Sequence, residues 1–419
     1  MLPETLTLTD PLLYSTGDPH PLWRAMRREQ PVQWHQPSDA SGFWAVTGYE
    51  PGLRVLQEWQ VFSSEQGTML RRDLTQPYPG AGKMLALTDP PHHSVLRRAV
   101  ARLFTPRSLA RLEDKAREIV RPLVATAVAA GHCDFAVDVA ARIPLALAAD
   151  LLGVPVEDVG MIAAATARIS SRDQDDGGLD ARIAHLELLD YYSRIMASRR
   201  ADPGDDLMSA LVTAQADGVG LTDEEALLTC DNVIVAVGDT TRAAAAGGML
   251  ALLEHPGQWA ALKTGRVDPA RAVDEILRWS PPATHLLRTA VQDTVLAGQR
   301  IAAGDPVTVW IPSLNRDESV FGDADVFRLD RTPNRHLTFG GGVHFCLGAA
   351  LARLVLRVLL EELVAGTGDI ALAGEPRRLA SYTVGGLAAL PVRLTAPAAA
   401  PRAGGAGSPA LAAALPSPA

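Results

Sequence analysis

An unusually long helical pattern between residues 222 and 254 constrains the fold of this chain more than any other feature of its sequence. Thr222 and Glu225 have the spacing of a capping box, in which each side chain binds a free backbone N–H group at the start of a helix. The pattern continues to Glu254, where His255-Pro256-Gly257 stops it. The sequence therefore predicts a single helix over this whole stretch.

Helical signals also dominate the rest of the chain from Thr105 onward. Thr105 is a suitable N-cap, Pro106 fits the first helical position, and Gly131 is typical of a helix end. Further helices are predicted over 135–152, 156–171, 179–200, 205–215, 268–280 and 349–364. Strands are predicted at 286–291, 295–296 and 307–311, with a hairpin over 379–395. Because strands and helices do not alternate in a βαβ rhythm, we expect a mainly α fold with a minor β portion.

The composition is that of an ordinary globular protein without a disulfide framework. Hydrophobic residues make up 47% of the 419 residues and charged residues 21%, and length alone suggests about two to three domains. Three cysteines form no framework, and their odd number indicates a reducing compartment or a thiol with a function. The net charge of −9 offers no basic excess for nucleic acid, so we expect no nucleic-acid partner.

The sequence shows no secretory or membrane-spanning pattern. Residues 1–10 lack the basic and apolar regions of a secretory signal. The most apolar stretches, 135–155 and 227–253, are interrupted by charged residues, so we predict no membrane span. We therefore expect a cytoplasmic protein. The Ala-, Pro-, Gly- and Ser-rich segment 396–419 is predicted to be a disordered tail.

One of the three cysteines, Cys346, follows a glycine-rich loop and precedes a predicted helix. Free backbone N–H groups and a helix N-terminus favour negative charge, so this position suits a metal-binding thiolate. Gly348 leaves room for a flat group to approach. A structural cysteine in a glycine-rich turn is the alternative. A phosphate loop is disfavoured because no Gly-Lys-Ser/Thr follows, and a zinc site because no second cysteine is near.

The pattern Phe339-Gly340-x-Gly342-x-His344-x-Cys346-x-Gly348 resembles the haem-binding signature of the cytochromes P450. His344 stands where relatives often have arginine. The resemblance covers residues 10–395 and implies a single haem domain over 1–395. It also implies a triangular helical prism, with haem b between the long distal helix and the helix that follows Cys346. By resemblance, Cys346 is the proximal iron ligand, and Phe339, Gly340 and Gly348 border the haem.

Two further groups of residues match this family in position. Glu275 and Arg278 match its Glu-x-x-Arg motif, and Arg331 resembles the third member of a buried ion network; an exposed surface pair is the alternative. Cationic side chains that resemble the partners of the haem propionates lie on three segments. They are His93, Arg97, Arg288 and His344. Taken singly, each of these four could be an ordinary surface charge.

The long helix carries Ala236-Val-Gly-Asp-Thr240, which resembles the distal acid–alcohol motif of the family. Asp239 would relay protons, Thr240 would hold water beside the bound oxygen, and small Ala236 would leave space above the haem. The alternative for Thr240 is a bond to its own helix backbone. Val237 departs from the glycine of many relatives. Positions that line the substrate pocket in relatives correspond to Thr284, Leu286, Leu287, Thr383 and Val384, and the expected roof segment 63–88 contains Met69 and Leu70. Helical spacing places Asn232 on one stripe with Ala236 and Thr240, where it would face the pocket near Val235; a helix kink or a contact with another helix is the alternative for Asn232.

The resemblance implies a monomeric haem-thiolate monooxygenase that inserts one oxygen atom from O₂ into an organic substrate. Hydroxylation or epoxidation of a bacterial secondary metabolite, free or carrier-bound, is expected. Electrons would come from NAD(P)H through a ferredoxin reductase and a ferredoxin that docks near Cys346. Candidate docking cations are Arg97, Arg98, Arg102, Arg107, Arg353 and Arg357.

Two other functions remain open for such a chain. One is a peroxygenase driven by peroxide, which would usually replace the Asp239-Thr240 pair. The other is a non-catalytic protein of the same fold that recruits enzymes, which would usually lose that pair or Cys346. The identity of the substrate does not follow from the sequence.

Overall fold

A computed structural model of the protein describes residues 7–37, 40–71, 74–75, 78, 80–170, 179–216 and 219–398. The expected disordered tail at 396–419 lies outside the described residues, apart from its first three. The α-helices in the described ranges are α1 Pro11–Ser15, α2 His20–Glu29, α3 Tyr49–Gln57, α4 His92–Ala101, α5 Pro106–Ala130, α6 Arg142–Leu152, α7 Val159–Ser170, α8 Leu179–Ala201, α9 Leu207–Ala216, α10 Asp223–Glu254, α11 Pro256–Lys263, α12 Pro269–Trp279, α13 Ile311–Leu314 and α14 Ala349–Gly366.

The β portion is small and divided among four sheets. Its strands are β1 Val32–His35, β2 Phe43–Val46, β3 Phe62–Ser63, β4 His132–Asp134, β5 Leu286–Ala290, β6 Thr294–Leu296, β7 Gln299–Ile301, β8 Pro306–Val309, β9 Ile370–Leu372, β10 Arg377–Arg378, β11 Leu387–Ala389 and β12 Pro391–Leu394. The largest sheet has the order β1-β2-β8-β5-β3, in which only β2 and β8 are parallel. This confirms the mainly α fold with a minor β portion.

Local capping residues set the ends of the two longest helices, as the sequence predicted. At the start of α10, Thr222 accepts a hydrogen bond from the Glu225 N–H, and the Glu225 carboxylate accepts one from the Thr222 N–H. At the start of α5, Thr105 accepts from the Ser108 N–H, and Gly131 ends the helix with φ 75°. Both predicted helices are therefore confirmed.

The main hydrophobic core surrounds the C-terminal half of α10. Residues from α5, α6, α12 and α14 pack with Ala244–Leu252 in one continuous buried cluster. A second cluster joins α4, α8 and α9 to the N-terminal half of α10, including Ile234. The long helix therefore passes through both cores, which fixes its middle section relative to α4 and α14. No helix in the described ranges is long and apolar enough to cross a membrane.

Two predicted elements differ from the structure, and two strands were missed. The predicted helix 135–152 is a π-helical stretch, Phe135–Ala140, followed by α6. The predicted hairpin 379–395 does not form as such: β11 pairs with β10, while β12 joins a separate sheet with β4 and β9. Strands β1 and β2 were not predicted at all. The strands depend on pairing with residues distant in sequence.

Candidate functional site

The loop that leads to Cys346 has a conformation that depends on glycine. Gly342 has φ 63°, a left-handed conformation, and a Cβ atom there would lie 2.8 Å from backbone atoms of Leu56 and Gln57. The loop is closed by a hydrogen bond of 2.9 Å from the Cys346 N–H to the Phe339 carbonyl oxygen. Cys346 therefore sits in a fixed turn three residues before α14 begins.

The environment of the Cys346 thiol differs from that of the other two cysteines. Cys346 is exposed, whereas Cys133 is half-buried and Cys230 is buried. Although the residue is exposed, the surrounding protein keeps water from the Cys346 sulfur, which raises the pKa of the thiol. A hydrogen bond from the Gly348 N–H and the charges of Arg97 and Arg353 lower that pKa in part. Burial raises the pKa of Cys133 to about 11. Of the three thiols, Cys346 is the accessible one with groups that stabilise a thiolate.

Glu275, Arg278 and Arg331 form a buried ion network. The Glu275 carboxylate accepts two hydrogen bonds of 2.8 Å from Arg278 and further ones of 3.0 and 3.2 Å from the Arg331 Nε. Glu275 and Arg278 are 0% exposed. The remaining Arg278 nitrogen donates to the carbonyl oxygens of Asn315 and Ala324. The pair is therefore buried and fully hydrogen-bonded, unlike an exposed surface pair.

This network is linked to the cysteine loop through Asn315. Its carbonyl accepts from Arg278, and its side chain accepts from the Leu337 N–H at 2.8 Å and donates to the Thr338 hydroxyl at 2.9 Å. Thr338 directly precedes Phe339 and also donates to the Leu277 carbonyl of α12. The ion network therefore holds the start of the loop that carries Cys346.

Four basic side chains from three parts of the fold meet near this loop: His93 and Arg97 on α4, Arg288 on β5 and His344 in the loop itself. The ring centroids of His93 and His344 are 4.4 Å apart, and burial, together with the charges of Arg288 and Arg97, lowers the pKa of His344. Asp89 is the carboxylate in direct contact, at 3.0 Å from the His344 Nε2. Burial and the charges of His344 and Arg97 lower the pKa of His93 to about 4, and burial lowers that of Arg288 to about 10. Arg97 and Arg288 therefore carry the positive charge of the cluster, and the two histidines add ring nitrogens that can form hydrogen bonds.

The cluster fits a flat ligand that carries two carboxylates. The buried Nδ1 of His93 has no hydrogen-bond partner among the described residues. A Cβ atom at Gly348 would meet nothing within 4 Å, so there is room beside the cysteine. Buried cations and polar atoms require partners. Haem, with its flat ring and two propionates, matches both requirements.

The middle of α10 is accessible although residues on either side of it are buried. Val235 is 40% exposed and Ala236 is exposed, whereas Ile234 and Thr241 are buried. The Thr240 hydroxyl donates to the Ala236 carbonyl oxygen at 2.5 Å, which is the backbone bond considered as the alternative for this residue. Asn232 and Asp239 are half-buried. The distal motif therefore borders open space in the middle of the long helix.

The expected pocket residues divide into two groups. Leu70 and Leu287 are 7% and 1% exposed and pack with Trp310 in the N-terminal hydrophobic cluster. Alternate residues of a strand face opposite sides, so Leu287 points away from the side shared by Leu286 and Arg288. In the structure both side chains lie in this core cluster. Met69, Leu286, Thr383 and Val384 are half-buried, and Thr284 is buried.

Two of the expected docking cations are already paired within the chain. Arg353 binds Asp274 at 2.8 Å and lies 4.5 Å from the centre of the Phe339 ring. Arg357 binds Glu113 at 2.7 Å and Glu361 at 2.9 Å. The side chain of Arg102 lies outside the described ones.

Sequence reasoning also missed His285, which lies among the named pocket residues and which no periodic signal distinguishes.

Comparisons with known proteins agree with this geometry. The Cytochrome P450 family model matches residues 270–365. Cytochrome P450 NovI of Streptomyces niveus is 36% identical over 394 residues, which cover 94% of this chain and 97% of NovI. A steroid C26-monooxygenase of Mycobacterium bovis is 33% identical and aligned over 92% of each protein. The crystal structure of P450 OxyD, involved in the biosynthesis of vancomycin-type antibiotics, superposes with a TM-score of 0.86. It is 37% identical, and the match covers 94% of this chain and 100% of OxyD.

These relatives match nearly the whole chain in sequence, and OxyD also matches it in structure. The expected fold and enzyme class are thereby confirmed. The chain belongs to the cytochrome P450 family and is a haem-thiolate monooxygenase.

Proposed function

We propose that Cys346 binds the haem iron and that His93, Arg97, Arg288 and His344 hold the two propionates. The observation that carries this proposal is the buried cationic cluster beside the accessible thiol. Arg97 acts by charge on the Cys346 thiol and on both histidines, so the cluster and the thiol border the same space. Two propionates would supply the negative charge that these cations need and a partner for the His93 Nδ1.

The bound haem supplies the activation of dioxygen that leads to insertion of one oxygen atom into the substrate. Thr240 and Asp239 supply the protons in this proposal. Because the Thr240 hydroxyl proton is bound to the Ala236 carbonyl oxygen, the Oγ1 lone pairs are left to accept. Oγ1 would accept a hydrogen bond from a water molecule and so hold that water in place. When the water delivers a proton, Asp239, one residue earlier, would relay another proton to replace it.

The substrate class and the electron donor are further parts of this proposal. OxyD, which this chain resembles, is involved in the biosynthesis of vancomycin-type antibiotics. By analogy we propose that the substrate is a bacterial secondary metabolite. The accessible apolar face at Val235 and the polar group of Asn232 suit a molecule with both apolar and polar parts. A ferredoxin would dock beside the cysteine loop, where Arg98 and Arg107 remain as candidate contacts.

The test of thiolate ligation is a difference spectrum of the reduced protein with carbon monoxide. The unmodified protein should show the red-shifted Soret band of thiolate ligation, and Cys346→Ala should lose it. Cys230→Ala is the matched control, because Cys230 is buried in the second core and should leave the band unchanged. A red-shifted band that persists in folded Cys346→Ala would show that another residue binds the iron.

A further inference from the structure

Three chain segments that are distant in sequence meet at strand β5. They are the loop at 67–71, which we name the roof loop, the segment 282–288, and the segment 381–386. Three backbone hydrogen bonds join them, from the Leu287 N–H to the Thr68 oxygen (2.8 Å), from the Thr284 N–H to the Thr383 oxygen (3.1 Å) and from the Gly385 N–H to the Pro282 oxygen (2.8 Å). All three segments contain residues assigned by resemblance to the substrate pocket.

One side chain, His285, binds both of the outer segments at once. Its Nε2 accepts a hydrogen bond of 2.9 Å from the Leu70 N–H of the roof loop. Its Nδ1 lies 2.9 Å from the Tyr382 carbonyl oxygen. The residue is 0% exposed, and its ring lies 5.1 Å from that of Trp310. His285 is therefore a buried cross-link between two loops that share no strand pairing.

The two partners fix the protonation state of this ring. A backbone N–H can only donate and a carbonyl oxygen can only accept, so Nε2 must be bare and Nδ1 must carry the proton. Burial lowers the pKa of His285 to about 4, which keeps the ring neutral near neutral pH. A neutral imidazole offers one donor and one acceptor on opposite edges of a rigid ring, which an apolar ring of similar size lacks.

We propose that His285 is a positioning residue that fixes the roof loop against the segment 381–386 and so limits which substrates the pocket admits. This inference rests on the proposed function, since it places the pocket beside the haem. His285 does not touch the reacting atoms in this proposal. It acts through Leu70, whose side chain is anchored in the core with Leu287 and Trp310. The cross-link thus connects the pocket border to a rigid cluster.

Hydrogen–deuterium exchange of the holoenzyme tests the cross-link directly. His285→Phe keeps a ring against Trp310 but deletes both hydrogen bonds, so the roof-loop amides should exchange about tenfold faster. His285→Gln keeps a donor and an acceptor and should recover most of the protection. The matched control is His255→Phe, the same substitution at a histidine that bonds the Ala251 carbonyl oxygen and lies outside the three segments. Equal exchange in His285→Phe and the unmodified protein would overturn the proposal.

Ligand binding tests the consequence for the pocket. Imidazole and 1-phenylimidazole bind the iron through the same kind of nitrogen, but the phenyl group of the second also contacts the pocket walls. His285→Phe should change the affinity ratio of the two ligands about tenfold, while His255→Phe leaves it unchanged. An unchanged ratio in His285→Phe with an intact carbon monoxide band would refute the positioning role and leave the proposed function standing. Loss of that band in the unmodified protein would instead refute the proposed function.

A measurement on the unmodified protein covers the case in which the variants do not fold. Nitrogen-15 spectra of histidine in the reduced, carbon-monoxide-bound protein distinguish the two imidazole tautomers. We expect one buried histidine with a bare Nε2 that does not titrate between pH 5.5 and 8, a range chosen to lie above its lowered pKa of about 4. Absence of such a histidine would contradict the cross-link.

Discussion

Removal of the Glu275 charge is the sharpest test of how the fold supports the cysteine loop. Glu275→Gln changes one oxygen to nitrogen and keeps the shape of the side chain. The Glu275 carboxylate faces both Arg278 and Arg331, so the buried network already carries one more positive than negative charge. The variant would leave two buried guanidinium groups with no counter-charge. The amide would also bring a donor toward groups that only donate.

The expected loss of stability follows from burial. Breaking a buried ion pair by removing one partner costs about 3–5 kcal/mol, because the remaining charge stays desolvated. Against a typical free energy of unfolding of about 5–15 kcal/mol, this is a large part of the total. Glu58→Gln is the matched control, because Glu58 forms a single pair with Arg54 at 2.9 Å and both side chains are more than a third exposed. That change should cost less than about 1 kcal/mol.

Urea unfolding, followed at equilibrium on both variants, measures the two free energies side by side. Haem content measures the link to the site, because Asn315 and Thr338 connect the network to the cysteine loop. We expect Glu275→Gln to lose both stability and haem, and Glu58→Gln to keep both. A loss of less than about 1 kcal/mol in Glu275→Gln would refute the argument that this charge is needed to balance the buried arginines.

Other predictions concern proton delivery, the proximal charge and the distal helix. Thr240→Val should lower the product formed per NAD(P)H and raise the peroxide released; unchanged coupling would contradict the proton role. Arg353→Leu should make the haem reduction potential more negative, because a positive charge near the thiolate is lost, whereas Arg357→Leu should not. The hydrogen bond to Asp231 raises the pKa of His185. This hydrogen bond therefore stabilises the fold fully below pH 6.5, and the stabilisation is lost as pH rises through the raised pKa. In His185→Asn the free energy of unfolding should fall less over this pH range than in the unmodified protein, and the difference should be less than about 1 kcal/mol because the pair is partly exposed.

Local signals in the sequence were sufficient for the two longest helices. The capping box at Thr222 and the Thr105-Pro106 start are each contained in a few consecutive residues, and both helices begin where these signals place them. The turn at Gly342 is equally local, since its glycine carries the unusual φ value itself. Features that depend only on neighbours in sequence were therefore predictable.

The sheets could not be predicted in the same way. Strand β2 pairs in parallel with β8, which is more than 250 residues later in the chain. Strand β12 takes its register from β4 and β9 rather than from the adjacent β11. Strands β5, β6 and β8 were predicted, but β1 and β2 are too short to carry a periodic signal of their own. Their existence depends on partners that only the folded chain brings near.

In the site, too, some features depend on neighbours in sequence and others on residues distant in sequence. The cysteine loop was predicted from ten consecutive residues, whereas the inward or outward direction of Leu70 and Leu287 depends on Trp310 and on the pleat of β5. His285 was missed because its two partners are backbone groups, which are the same for every residue type. A side chain that binds only backbone groups leaves no complementary residue in the sequence to reveal it.

The contacts of His344 show how a histidine can stand at a position where relatives often have arginine. An imidazole is shorter than a guanidinium and offers only two nitrogens. Here Nε2 is used by Asp89, which in turn accepts from the Ser63 hydroxyl at 2.5 Å. Asp89 therefore fixes the ring, leaves one nitrogen for another partner, and places a carboxylate among the cations. The structure thus compensates for a weaker cation at position 344 by orienting it, while Arg97 and Arg288 supply the permanent charge.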